Sequence, residues 1–202
     1  MAAMAPRVEL GLGLGRRARL ARTAFTIVSI GAALASVLMA PGAIGLCGAG
    51  LALTMCAIAM HDARHFLIPN WLSAAAFVLA IAHAAALDPH APLPQIGGAL
   101  ARAGVSGGFF LALKLGYGWW RGHEGIGMGD VKLAAVAGAW LDWFALAAAI
   151  EIAVVTALGA YSVRHYVGKR PMRANHALPF GLYLAPAIWV AWFLQITVLG
   201  AG

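Results

Sequence analysis

Apolar residues run through this chain in blocks. Residues 24–40, 44–60, 71–87, 96–119, 130–141, 144–163 and 178–199 are dominated by Ala, Leu, Val, Ile, Phe and Trp, and the stretches between them hold most of the charge. Most blocks are about 17 to 24 residues long, which at ~1.5 Å per residue suits a hydrocarbon layer of ~30 Å. The pattern predicts an all-α fold, a polytopic transmembrane helical bundle of six to seven spans. The fifth block has only about 12 residues, short for a full crossing, so it is expected to be tilted or to end below the surface.

Composition agrees. Of 202 residues, 62% are hydrophobic and 10% charged, whereas about a quarter are charged in a soluble domain. Mean hydropathy is +0.84. The net charge of +7 raises nucleic acid as a partner, but the basic residues lie between apolar blocks and are not interleaved with aromatics. They read as topology signals, and no nucleic-acid binding is expected.

Those residues orient the bundle. With the N-terminus inside, the inner segments hold Arg7, Arg16, Arg17, Arg19, Arg22, Arg64, Arg121, Arg164, Lys169, Arg170 and Arg173, and the outer loops at 41–43, 88–95 and 142–143 hold no Lys or Arg. Lys and Arg collect on the cytoplasmic side. Residues 1–23 are therefore expected as a basic cytoplasmic tail and 24–199 as one transmembrane domain. The block at 24–40 is longer than a signal-peptide core and has no clean small-x-small site before Pro41, so it is expected to be retained as the first span.

This topology puts the loops at 61–70 and 121–129 on the same side. Each carries an acidic residue at a membrane boundary, Asp62 and Asp130, so two carboxylates can meet at one depth. Acidic residues beside lipid are costly and usually functional. A close pair cannot ionise twice cheaply; one member keeps a proton while the other acts as base toward a shared water, which suits peptide hydrolysis. Gly125, Gly127 and Gly129, just before Asp130, are expected to let backbone approach closely and to adopt positive φ. Read singly, each aspartate has a plainer account: Asp130 as a helix N-terminal residue favoured by the dipole, Asp62 as a partner of Arg64.

Three stretches carry a family resemblance. "DARHFLIPNWL" (residues 62–72), "RGHEGIGMGDVKLAAVAGAWL" (121–141) and "LPFGLYLAP" (178–186) resemble, in order, the aspartate followed by Pro-Asn, the Gly-x-Gly-Asp-x-Lys-Leu signature and the Pro-Phe-Gly motif of type IV prepilin peptidases. The resemblance implies a membrane aspartyl endopeptidase that removes the basic leader of prepilin-like substrates at the cytoplasmic face of the bacterial inner membrane, with 24–199 as its peptidase domain. Asp62 and Asp130 would be the catalytic pair, Gly127 and Gly129 would shape the active-site loop, and Lys132 would support it. Pro69 and Asn70 would set the turn into the third span, where proline suits a first helical turn; Pro179, Phe180 and Gly181 would shape the seventh helix mainly through packing. No cofactor is implied. The compact chain is similar to the short peptidases of tight-adherence or Flp pilus systems. Larger members carry an insert with paired CxxC motifs between early helices and also methylate the new N-terminus. The connection at 41–43 has no room for that insert, so no N-methyltransferase activity is expected. The chain also reads Phe-Gly-Leu where the family more often has Phe-Gly-Pro.

Other features weigh less. Cys47 and Cys56 share one apolar block and suggest buried thiols, with neither disulfide nor metal site. His61, His65 and His123 lack ligand spacing, and no metal is expected. "GLGLG" at 11–15 follows no strand, so a nucleotide loop is not indicated. Gly104 and Gly108 form a small-xxx-small pair expected at a helix contact. Arg102 and Glu151 lie inside spans at similar depth and are expected to pair, joining the fourth span to the sixth. Two other functions stay open: a proton-coupled transporter or channel, requiring an acidic path across the bundle, and a non-enzymatic pilus assembly factor that keeps the fold.

Overall fold

The computed structural model describes residues 23–40, 42–122, 125–168 and 179–198; the tail at 1–22, Pro41, His123 and the basic residues Lys169, Arg170 and Arg173 lie outside them. Among the described residues seven helices follow one another: α1 (Thr23–Met39), α2 (Ala43–His65), α3 (Asn70–Leu87), α4 (Pro92–Arg121), α5 (Met128–Trp140), α6 (Trp143–Gly168) and α7 (Gly181–Thr197). Helices α2, α3, α4 and α6 are long and apolar enough to cross a membrane, and α1 and α7 are shorter apolar helices. The protein is an all-α, multi-pass membrane bundle.

Helix α5 is the centre of the bundle. It packs against α3, α4, α6 and α7, and five consecutive residues, Val136 to Trp140, are buried. Successive residues step 100° around a helix, so burial of five in a row closes every side; a helix apolar all round belongs inside. With 13 residues it is about 20 Å long and does not span. Its last turn is level with Arg102, ten residues into α4 and so about 15 Å from that helix's start: Arg102 Nε donates to Gly138 O at 3.3 Å. The short fifth block thus ends below the surface, as expected.

The α4–α5 seam is close because small residues line it. A Cβ on Gly138 would collide with the Arg102 carbonyl and Ser106 Oγ, and one on Gly107 would lie 2.9 Å from Ala135 Cβ. Ser106 Oγ donates to Ala134 O at 2.9 Å. The expected pair at Gly104 and Gly108 is displaced: both face open space, and the contact belongs to Gly107, on the face turned to α5. Deeper polar groups are partnered too. Trp140 Nε1 donates to Ala76 O at 2.9 Å and Trp192 Nε1 to His83 Nε2 at 3.1 Å, as an apolar phase demands. Gly48 leaves room for the Trp192 ring. Cys47 and Cys56 are free and half-buried in α2.

The expected Arg102–Glu151 pair does not form. Arg102 caps the end of α5 and lies in the field of Asp142, whereas Glu151 is exposed on α6. The reason is architectural: α5 packs against both α4 and α6 and stands between them. Asp142 itself caps α6, accepting from Ala145 N at 2.7 Å, and its own N–H donates to Gln195 Oε1 at 3.3 Å.

Candidate active site

Helix α2 continues beyond the predicted end at Met60, so Asp62 sits in its last turn and not in a loop. Its side chain is buried, 6% exposed. Phe66 ends the helix in a left-handed conformation (φ 53°), its N–H donating to Asp62 O at 2.9 Å. His61 Nδ1 lies 2.8 Å from Leu67 O; the carbonyl can only accept, so Nδ1 carries the proton. These contacts fold the connection back over the helix end and turn Ile68 inward, where it is buried. Pro69 (φ −62°, ψ 135°) caps α3 from outside, one position earlier than the first-turn place expected of it, and Asn70 is the first helical residue.

Asp130 stands in the first turn of α5, and the loop before it is held from three sides. Tyr117 packs where a Gly125 side chain would be, Lys114 Nζ donates to Ile126 O at 3.0 Å, and Ile68 approaches Gly129 so that an added Cβ would lie 3.1 Å from it. Lys132 Nζ donates to Asn70 Oδ1 at 2.6 Å, tying α5 to the start of α3. Gly125 and Gly129 therefore serve close approach, whereas a Cβ on Gly127 would meet nothing nearer than Asp130 Oδ2 at 3.4 Å. Their expected positive φ is not found: Gly127 has φ −71°, and the positive-φ glycines among the described residues are Gly42 and Gly122.

The third contribution comes from α7. Leu182 N donates to Asp62 Oδ2 at 2.9 Å, and the neighbouring Gly181 backbone adds to the field that favours the charged carboxylate. A Cβ on Gly181 would lie 2.9 Å from Asp62 Oδ2 and 2.8 Å from Ile68 Cδ1. The Pro-Phe-Gly stretch thus delivers a helix N-terminus to a carboxylate, where exposed N–H groups and the helix dipole favour negative charge. The packing role expected of Gly181 is joined by an electrostatic one.

Both carboxylates line one cavity of about 400 Å³, with Ile68, Asn70, Gly127, Gly129, Lys132, Pro179 and Phe180 among its walls. Pro69 and Gly181 stand behind it. Asp130 lies at the mouth of the non-spanning α5, and its carboxyl is pushed up to about 6, first by burial and then by the charge of Asp62, against a hydrogen bond from the Gly127 backbone. The two aspartates differ accordingly: Asp62 accepts the Leu182 amide at a helix end, and Asp130 is the one disposed to hold a proton. His61 and His65 stack at 4.4 Å, but among the described residues no three His, Cys, Asp or Glu side chains converge as a metal site. Nothing in the sequence singles out Ile68, which meets glycines distant along the chain, or Tyr117, whose ring meets Gly125 eight residues on.

Comparison with known proteins bears on this site. The model of the type IV leader peptidase family matches residues 49–162, a stretch that holds both aspartates and ends before α7. "Leader peptidase HopD" of Escherichia coli is 32% identical over 132 residues, 65% of this chain and 81% of that protein. A "Prepilin leader peptidase/N-methyltransferase" of Burkholderia pseudomallei is 48% identical over 65 residues, and one of Aeromonas hydrophila 41% identical over 78. These matches cover 32% and 38% of this chain but only 20% and 26% of those larger proteins. No solved structure matches.

Proposed function

Because the chain belongs to the type IV leader peptidase family, we propose that it is a membrane aspartyl endopeptidase that cleaves the leader from prepilin-like proteins, with Asp62 and Asp130 as its catalytic pair. The observation that carries the reading is the unequal environment of two carboxylates in one cavity: both are desolvated, but Asp62 accepts the Leu182 amide at the start of α7, whereas Asp130 lies in the field of that like charge. A water between them loses a proton to the Asp62 carboxylate as its oxygen bonds to the scissile carbonyl carbon, and Asp130 gives its proton to the carbonyl oxygen. Collapse of the resulting diol returns a hydroxyl proton to Asp130, the C–N bond breaks, and Asp62 passes its proton to the leaving amine. Gly127 and Gly129 keep the approach to Asp130 open, while Lys132 and Asn70 fix the register of α5 against α3.

The excess of Lys and Arg supports a reading with the cavity end, and the N-terminus, on the cytoplasmic side of the bacterial inner membrane, where a basic leader would remain. A transporter would need acidic groups continuing through the bundle; Glu151 is exposed on α6 and extends no path from the cavity. Co-expression with candidate prepilins and intact-mass analysis tests the reading. Asp62→Asn and Asp130→Asn should each reduce cleavage by at least about a thousandfold while inserting normally. Wild-type rates from either purified variant would refute the pair.

A further inference from the structure

The active-site cavity has a neighbour. Asn70 and Lys132, joined at 2.6 Å, line both it and a second cavity of about 330 Å³, which runs between α3 and α5 along Ser73, Ala74, Phe77, Ala135 and Val136. From Asn70 to Phe77 is seven residues, about 10 Å deeper into the bundle. The walls become apolar over that distance, with one exception. Ser73 Oγ is buried, in a residue 6% exposed, and has no hydrogen-bond partner.

That hydroxyl departs from the habit of this bundle. Ser29, Ser36, Thr54, Thr156 and Thr197 each return their Oγ proton to the carbonyl four residues back. An unmet donor in an apolar phase is costly, so the position suits an occupant that brings an acceptor. An acyl chain fills space without one. A peptide presents a carbonyl at every residue.

We propose that the α3–α5 groove seats the apolar part of the peptide substrate beside the scissile bond, with Ser73 Oγ donating to one of its backbone carbonyls. The inference rests on reading the first cavity as the peptidase cleft, with which the groove is continuous through Asn70 and Lys132. Small Ala74 and Ala135 leave the room, and Phe77 meets the entering chain about two turns down.

The test uses the full chain in nanodiscs and two substrates sharing one cut site: one continuing into an apolar segment of about 20 residues, the other a soluble peptide ending a few residues past the cut. Ala74→Trp fills the groove from an exposed position and should lower kcat/KM for the anchored substrate about tenfold, mostly through KM, with the short peptide changed less than about twofold. Ser73→Ala should show the same split more weakly. A photoreactive phenylalanine analogue at position 77 should crosslink to the apolar segment of the anchored substrate. Unchanged anchored-substrate kinetics, equal losses on both substrates, or adducts with lipid alone would overturn the proposal. If the wild type cleaves neither substrate, the peptidase reading has failed, and the crosslink to the apolar peptide still decides the groove.

Discussion

Asp130 carries the clearest pH signature. In an unfolded chain an aspartate gives up its proton near pH 4; here the carboxyl keeps it to about 6. Between those values the folded state binds more protons, so stability falls as pH rises from about 4 to 6 and stays reduced above. Asp130→Asn has no such proton to lose. It should melt above the wild type in detergent at pH 8 and converge with it below about pH 4; a lower midpoint at pH 8 would contradict the burial argument. Asp62→Asn removes the neighbouring charge that holds Asp130 up, so the Asp130 titration, followed by carboxyl-labelled NMR, should move below about 6. Gly181 makes a steric prediction. An alanine there meets Asp62 Oδ2 and Ile68 Cδ1 inside 3.0 Å, so Gly181→Ala should push the carboxylate off the Leu182 amide and reduce cleavage by at least about tenfold, leaving the protein helical by circular dichroism. Asp62, Asp130 and the glycines were legible as residues, because carboxylates and repeated glycines stand out against an apolar background. Ile68 and the Leu182 amide were not, because each acts through a contact between elements far apart in sequence, and Tyr117 was not, because its contact depends on how the loop after α4 folds back to bring Gly125 against it.

Among the elements, the long blocks at 44–60, 71–87, 96–119 and 144–163 were readable from length and apolarity alone, and each became a helix somewhat longer than its block. Polar residues such as Asp62 and Arg121 extend the helices past the apolar boundary, which hydropathy does not detect. Partnership was harder. Depth along two spans suggested that Arg102 and Glu151 meet, yet depth says nothing of which face a helix turns to its neighbour. The observed role of Arg102 is to meet the carbonyl end of α5, where a cation is favoured. Arg102→Leu leaves the Gly138 carbonyl unsatisfied and should destabilise by about 1–3 kcal/mol. Glu151→Leu, at an exposed position, should change little, and the double variant should equal the sum within about 0.5 kcal/mol. A coupling well above that in detergent melts would restore the direct pair.

For the whole molecule, the legible part was the class: charge and block length define a bundle with a basic end, and three separated motifs lie along it in family order. What no motif states is that the three converge, since Asp62 closes α2, Asp130 opens α5 and Gly181 opens α7 around Ile68. The compact early connection carries its own expectation. Helix α1 ends at Met39 and α2 begins at Ala43, and a chain without the CxxC insert should release product with a free N-terminus. Mass spectrometry of a purified reaction supplied with S-adenosylmethionine checks this, and a gain of one methyl group would overturn it.

The enclosed α5 also has a consequence for biogenesis. A 13-residue helix too short to span gives the insertion machinery little to release into lipid on its own, so it reaches its place by packing on α3 and α4 before α6 and α7 close around it. Asp62 enters the bilayer with α2, an ordinary span; Asp130 arrives with a helix that packs on α3 and α4, already made, and the amide that Asp62 accepts comes only with α7. A nascent or truncated chain therefore lacks the α7 wall of the cavity, and the order of synthesis itself withholds a complete site until the bundle is whole.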